Sequence, residues 1–174
     1  TIRSRCQRVA FAPLPDDVVE DILTAHDVPD EERSAAVALA RGRADRALDL
    51  AKDARASGLV DYAFSLHETS HKGGPGVLIE AAEALAKLDA PDRNMALETL
   101  ALLYRDLAVI VTDAPRSLLA MRFAAERVVE AASGLDVATL TKREARVHAT
   151  LEAIERNANA QSALDAMMFD LRKR

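Results

Sequence analysis

Helix-length segments, separated by proline or glycine, fill the chain from residue 13 to its end. Within each segment the apolar residues recur at helical spacing, as Val18, Val19, Ile22 and Leu23 do in the first. That spacing places them on one face of a helix, which another helix must cover. The sequence therefore predicts an all-α fold of packed helices.

The composition fits such a fold and excludes some functions. Hydrophobic residues make up 49% of the chain but aromatic residues only 3%, so Ala, Leu and Val must build the core. The formal net charge of −5 argues against a general nucleic-acid binder, which would carry a basic face. The single cysteine, Cys6, cannot form an internal disulfide, which favours a cytoplasmic location. No apolar run has the length of a membrane span.

Three short helices are expected before a series of longer ones. The first starts near residue 16, the second covers residues 30–42 and the third residues 44–56, before a weak Ser-Gly joint at 57–58. Beyond the joint, the predicted helices cover residues 59–67, 76–88, 91–112, 115–132, 141–157 and 160–173. The helix over 91–112 is apolar around more than one face, which predicts that it is central and buried.

The opening segment differs because it has the pattern of a strand end. Ser4, Arg5 and Cys6, followed by an apolar strand end and prolines, resemble the Ser-Arg-Cys motif of clamp-loader ATPase subunits of the AAA+ class. The resemblance implies that Arg5 is an arginine finger that reaches the γ-phosphate of ATP held by a neighbouring subunit, with Ser4 and Cys6 at the same interface. A basic surface segment is the alternative. Because the chain begins without Met, inside this segment, we expect it to be a fragment.

Residues 40–50 resemble the sensor-2 region of clamp-loader lids, where an arginine lies over the subunit's own ATP. Counted from Gly42, Asp45 stands at the position of that arginine, and Arg46 comes one residue later. An acid facing a triphosphate would be repelled. The resemblance is therefore closer to the delta-prime form of the family, which does not hydrolyse ATP, than to the gamma/tau form. A solvent-facing charged helix start is the alternative.

Two C-terminal runs resemble the collar domain of the delta-prime form. Arg105 and Asp106 lie in a Leu-x-Arg-Asp-Leu run within the expected central helix. Asn157 and Asn159 begin a run that resembles the family's final Asn-x-Asn helix. The resemblance implies that these four residues take part in subunit interactions. Asn159 also has the side chain of a helix N-cap, so we expect it to cap the last helix.

Taken over the whole chain, the resemblance implies a domain order and a function. Residues 1–12 would end an AAA+ core, residues 13–56 would form a three-helix lid, and residues 57–174 a helical-bundle collar for oligomerisation. Such a protein belongs to the clamp loader of DNA polymerase III, a DNA-directed DNA polymerase and nucleotidyltransferase. It assembles with gamma/tau and delta subunits into a ring that places the sliding clamp on primed DNA. No activity or cofactor is expected of the chain itself, since ATP is bound by neighbouring subunits.

Other classes of function stay open at this point. A gamma/tau-type subunit is one alternative, and a stand-alone helical adaptor with a coincidental Ser-Arg-Cys run is another. His67 and His71 stand four residues apart, a spacing that suits a metal on a helix face, but no third ligand is evident. The glycine-rich turn at 73–76 lacks the Lys-Ser/Thr of a phosphate-binding loop.

Overall fold

The computed structural model describes residues 12–172. Within this range the chain forms nine α-helices and no strand, which confirms the predicted all-α fold. The helices are α1 (Asp16–Ala25), α2 (Asp30–Ala40), α3 (Ala44–Leu50), α4 (Arg55–Lys72), α5 (Pro75–Lys87), α6 (Ala90–Val111), α7 (Ala125–Ala131), α8 (Val137–Glu155) and α9 (Ala160–Arg172). None of them is long and apolar enough to cross a membrane.

Helix α6 is the centre of the larger bundle, as its apolar circumference predicts. It has 22 residues, Asp89 caps its first turn by accepting from the backbone N–H of Asp92, and Pro91 occupies its start. Helices α4, α7 and α8 pack around it, and α9 lies between α5 and α8. Nine of its residues are buried: Ala96, Leu97, Thr99, Leu100, Ala101, Leu103, Tyr104, Asp106 and Leu107.

The three short helices α1, α2 and α3 pack on one another and meet the bundle mainly through α2 and α4. Gly42 ends the turn after α2 with φ +77°, as its position in the sequence predicts. Gly42 also contacts the residues that precede α1: the Leu14 N–H donates to the Gly42 carbonyl at 2.8 Å. A methyl group on Gly42 would lie 2.6 Å from the Leu14 carbonyl oxygen, so the two turns meet backbone to backbone.

The third helix and the expected joint differ from the prediction. Helix α3 ends at Leu50, and a 3₁₀ turn over Lys52–Ala54 follows, with Asp53 and Ala54 in the left-handed region. Helix α4 then begins at Arg55 and runs through the Ser-Gly pair at 57–58, so the pair lies inside its first turn. Tertiary packing outweighs the cost of about 1 kcal/mol of a helical glycine. Whether residue 56 separates two domains stays a prediction.

The predicted helix over residues 115–132 is wrong for its first half. That half consists of two 3₁₀ turns, Arg116–Leu118 and Arg122–Ala124, and only α7 is α-helical. The buried carboxylate of Asp106 accepts the backbone N–H groups of Ala120 and Met121, at 3.1 and 2.8 Å. Because these two N–H groups donate to a side chain, they cannot also donate to the backbone carbonyls of an α-helix.

Candidate functional site

Ser4, Arg5 and Cys6 lie outside the described residues, so the arginine-finger interpretation of Arg5 stays a prediction. The described chain begins where this segment leads into Pro13 and α1. The other candidate residues lie at the start of α3, at the centre of α6, in the α8–α9 turn and on α4.

Asp45 and Arg46 point to different neighbours at the start of α3. Asp45 is exposed and pairs with Arg43 at 2.7 Å, and the hydrogen bond from Arg43 lowers the pKa of the Asp45 carboxyl. Arg46 is half-buried and reaches α6, where it donates to Glu98 at 2.7 Å. The arginine nearest the sensor position is thus engaged by a carboxylate of its own chain.

Arg55 makes a second bridge between the short helices and the bundle. From the first turn of α4 it donates to Asp49 of α3 at 2.7 Å and also contacts Asp92 in the first turn of α6. Together with the Arg46 to Glu98 pair, it fixes α3 against the N-terminal half of α6. These pairs are partly shielded from solvent, which makes them more effective than fully exposed ones.

Arg105 and Asp106 lie side by side on α6 but face different surroundings. The Asp106 side chain is completely buried and accepts from Arg105 at 2.8 Å as well as from the two backbone N–H groups described above. The Arg105 side chain is 43% exposed. Asp106 therefore organises the loop before α7, and Arg105 is the member of the pair that a neighbouring molecule can reach. Their role in subunit interactions stays a prediction.

Asn157 and Asn159 shape the turn between α8 and α9. Asn157 has φ +66°, and the N–H groups of Asn157 and Ala158 donate to the carbonyls of Ile154 and Ala153, which closes α8 with a Schellman turn. Asn159 accepts from the backbone N–H of Ser162 at 2.9 Å, which confirms that it caps α9. Both residues are exposed. Their contact with another subunit is an untested expectation.

His67 and His71 do stack on one face of α4, with ring centroids 6.3 Å apart. His67 is 6% exposed, whereas His71 lies at the surface. Burial, and secondarily the charges of Arg143 and His71, lower the pKa of His67 to about 4. Among residues 12–172, no third His, Cys, Asp or Glu side chain completes a metal site with them.

A buried polar cluster surrounds His67 and was not predicted from the sequence. The Tyr104 ring meets the His67 ring edge to face at 5.7 Å, and the Tyr104 hydroxyl lies 3.5 Å from the Ser70 hydroxyl. Arg143 of α8 is 3% exposed, and its guanidinium carbon lies 6.0 Å from the centre of the Tyr104 ring. Burial raises the pKa of Tyr104, so its hydroxyl remains protonated.

One signal in the sequence could have revealed this cluster. Leu140, Val147 and Leu151 form the buried stripe of α8, and Arg143 occupies a position within that stripe. A charged residue at an apolar position of a helix is a buried polar group that needs an explanation.

A cleft of about 430 Å³ opens beside the cluster, between α4 and the segment from α7 to α8. Phe64, Ala131 and Leu135 supply apolar surface to the cleft, and His67 is one of its lining residues. Two ion pairs lie at its rim: Lys72 donates to Glu68 at 2.8 Å, and Arg127 lies on the Phe64 ring while donating to Asp61 at 2.7 Å. The cleft is lined by Phe64, His67, Glu68, His71, Lys72, Arg127, Glu130, Ala131, Ser133 and Leu135.

No protein-family model, curated protein or solved structure matches this chain. Function must therefore be inferred from the motifs and from the arrangement of the side chains.

Proposed function

We propose that the chain is the lid and collar part of a clamp-loader subunit of the delta-prime type. Its role is to assemble with gamma/tau and delta subunits into the ring that places the sliding clamp on primed DNA. Arg5 acts in trans on ATP bound by a neighbour, and the chain itself hydrolyses none.

The single observation that carries the proposal is the arrangement at the start of α3. By the resemblance, Asp45 stands where an ATP-binding lid of this family has its sensor arginine, and its exposed carboxylate is paired with Arg43 at 2.7 Å. Arg46, one residue on, is paired with Glu98 of α6. A triphosphate at this place would meet a carboxylate where the family has a guanidinium, and the guanidinium of Arg46 is already engaged by Glu98. This arrangement favours the delta-prime form over the gamma/tau form.

The order of the helices also supports the proposal. Three short helices, α1 to α3, follow the Ser-Arg-Cys segment, and α4 to α9 then form a bundle in which α4, α7 and α8 pack on the buried α6. A lid followed by a helical collar would have this succession. In the proposed assembly the Gly42 to Leu14 contact would hold the Ser-Arg-Cys segment to the lid.

Nucleotide binding by the chain alone separates the two clamp-loader alternatives. Titration with ATP, followed by calorimetry, should give no saturable binding. Saturable binding that is lost in Arg46→Met, and kept in the matched variant Glu98→Gln, would instead favour a gamma/tau-type subunit. Glu98→Gln suits the control because it breaks the same ion pair and leaves the guanidinium in place.

Reconstitution tests the assembly and the role of Arg5. The full-length protein should form a complex with gamma/tau and delta subunits, and Arg5→Ala should lower clamp- and DNA-stimulated ATP turnover without preventing assembly. Arg3→Ala and Arg8→Ala remove the same charge from the same segment. An equal, modest loss in all three variants would mean a basic patch, and failure to assemble at all would favour the adaptor alternative. Arg5→Lys should not restore turnover, because a point charge lacks the planar fork.

A further inference from the structure

The cleft beside α4 holds more negative than positive charge. Two cations line it, and each is paired with another carboxylate: Lys72 with Glu68 at 2.8 Å, and Arg127 with Asp61 at 2.7 Å. The hydrogen bond to Glu68 is the largest cause of the raised pKa of Lys72, and the charge of Glu130 is the smallest. Neither of these two cations is therefore paired with Glu130, although its carboxylate lines the same cleft.

His67 does not supply the missing positive charge. It lines the cleft but is 6% exposed, and burial, followed by the charges of Arg143 and His71, lowers its pKa to about 4. At neutral pH the imidazole is uncharged and does not repel a cation. Its Nδ1 atom has no hydrogen-bond partner among residues 12–172, and the Ser133 hydroxyl also lines the cleft. A neutral imidazole and a hydroxyl can each accept a hydrogen bond.

The size and the lining of the cleft restrict the class of ligand. Its volume of about 430 Å³ admits a small organic molecule. Phe64, Ala131 and Leu135 contribute apolar surface that a bare ion would leave uncovered. No group of three His, Cys, Asp or Glu side chains among the described residues is arranged to hold a metal ion. An organic cation with an apolar body therefore suits this cleft better than a metal ion does.

We propose that this cleft binds a small primary amine in its protonated form, whose ammonium group pairs with Glu130 and whose apolar body lies against Ala131 and Leu135. An ammonium donates three hydrogen bonds and accepts none, which matches a lining that offers acceptors. A carboxylate or phosphate ligand would add negative charge where negative charge is already in excess. The proposal does not depend on the clamp-loader function, and none of these residues belongs to the Ser-Arg-Cys segment.

Benzylamine is a suitable probe, with benzyl alcohol as its uncharged counterpart and benzoate as the anion of similar size. We expect saturable binding of benzylamine by calorimetry at pH 8, well above the range in which ordinary imidazoles titrate. Glu130→Gln should weaken this binding about fivefold, since an ion pair near the surface contributes up to about a factor of five. Glu126→Gln should leave it unchanged. Glu126 is the matched control because it is exposed on the same helix and paired with Arg116.

The two other probes separate charge from shape. Benzyl alcohol should bind about fivefold more weakly than benzylamine, because it lacks the charge that pairs with Glu130. Benzoate should bind more weakly still. Equal binding of the alcohol, equal binding of benzylamine by Glu130→Gln, or tighter binding of benzoate would each overturn the assignment.

A second measurement locates the ligand on the wild-type protein and so does not depend on a variant. The aromatic ring of bound benzylamine should shift the NMR signals of the Ala131 and Leu135 methyl groups in the cleft. The methyl signals of Val77, which is exposed on α5, should stay in place. Methyl shifts confined to other parts of the chain would place the ligand elsewhere and refute the proposed site.

Discussion

At the scale of single residues, His67 couples the fold to pH. In the folded protein burial keeps its imidazole neutral, with a pKa of about 4 against an ordinary value of 6.5. The unfolded chain therefore binds this proton more readily than the folded one. The free energy of unfolding therefore keeps its full value above pH 6.5. As the pH decreases from 6.5 toward 4, protonation of His67 alone lowers the free energy of unfolding by about 3 kcal/mol.

His67→Gln should remove that part of the pH dependence. We expect the difference in unfolding free energy between wild type and variant to change by about 3 kcal/mol between pH 7 and pH 4, measured by urea denaturation. His148→Gln is the matched control, because His148 is exposed on α8 and lies 3.9 Å from Glu144. Parallel curves for wild type and His67→Gln would show that the imidazole is not the acid-sensitive group.

Asp106 should be among the most sensitive residues of the chain. In Asp106→Ala the buried N–H groups of Ala120 and Met121 lose their acceptor. Hydrogen bonds to a charged group contribute about 1.5–3 kcal/mol each, so we expect a loss of roughly 3 kcal/mol or more. Asp106→Asn keeps one oxygen acceptor and should lose less. Asp21→Ala, at an exposed position of α1, should stay within about 0.5 kcal/mol of wild type in the same denaturation measurement.

The contrast between Asp106 and Asn159 shows what can be predicted from sequence at this scale. A cap acts on the next three residues, so Asn159 could be assigned to α9 from its position alone. Asp106 acts on residues 14 and 15 positions away, and no local pattern encodes that distance. The cluster of His67, Tyr104 and Arg143 escaped prediction for the same reason, because its members come from α4, α6 and α8.

At the scale of helices, the bounds of α5, α6 and α9 were predicted within one residue, since proline, aspartate or asparagine marks each start. Helix α4, predicted over residues 59–67, covers Arg55–Lys72, and helix α8, predicted over residues 141–157, covers Val137–Glu155. Prediction was wrong where tertiary contacts decide the backbone. The segment before α7 is not α-helical because its backbone N–H groups donate to Asp106. Helix α4 continues through Ser57 and Gly58 because its buried face packs against other helices.

Two glycines allow a paired test of these elements. Gly42→Ala forces a side chain onto φ +77° and places its methyl 2.6 Å from the Leu14 carbonyl oxygen, so we expect a loss of about 2–4 kcal/mol. Gly58→Ala lies in α4 with nothing within 4 Å of the added methyl, and should stabilise the protein by about 0.5–1 kcal/mol. Thermal unfolding of both variants measures the two shifts. Shifts of the same sign would contradict the assigned backbone at one of these positions.

At the scale of the whole molecule, α1 to α3 form a small unit that depends on its contacts with the bundle. Val19, Leu23 and Leu50 belong to one continuous cluster of buried residues that extends to Leu171. Small units bury little surface of their own and open more readily than large ones. The Arg46 to Glu98 bridge is one of the ties that keep α1 to α3 closed.

Arg46→Met should therefore loosen one part of the molecule selectively. Hydrogen exchange followed by mass spectrometry should accelerate in residues 13–50 and remain unchanged in α5 and α9. Glu98→Gln should have a similar effect, and the double variant should be less than additive by about 1 kcal/mol, because the two side chains form one pair. Uniform acceleration across all helices would mean that the whole chain opens as a single cooperative unit.

The contact between Gly42 and Leu14 has a mechanical consequence. A segment that is joined to a domain by an unattached linker can rotate without moving the domain. Here the entering backbone is hydrogen-bonded at 2.8 Å to the turn between α2 and α3, and Pro13 and Leu14 leave no room for even a methyl group on Gly42. A rotation of the backbone at Pro13 and Leu14 would break this hydrogen bond, so we expect the entering chain and the turn before α3 to move together, with the Arg46 to Glu98 pair linking α3 in turn to α6.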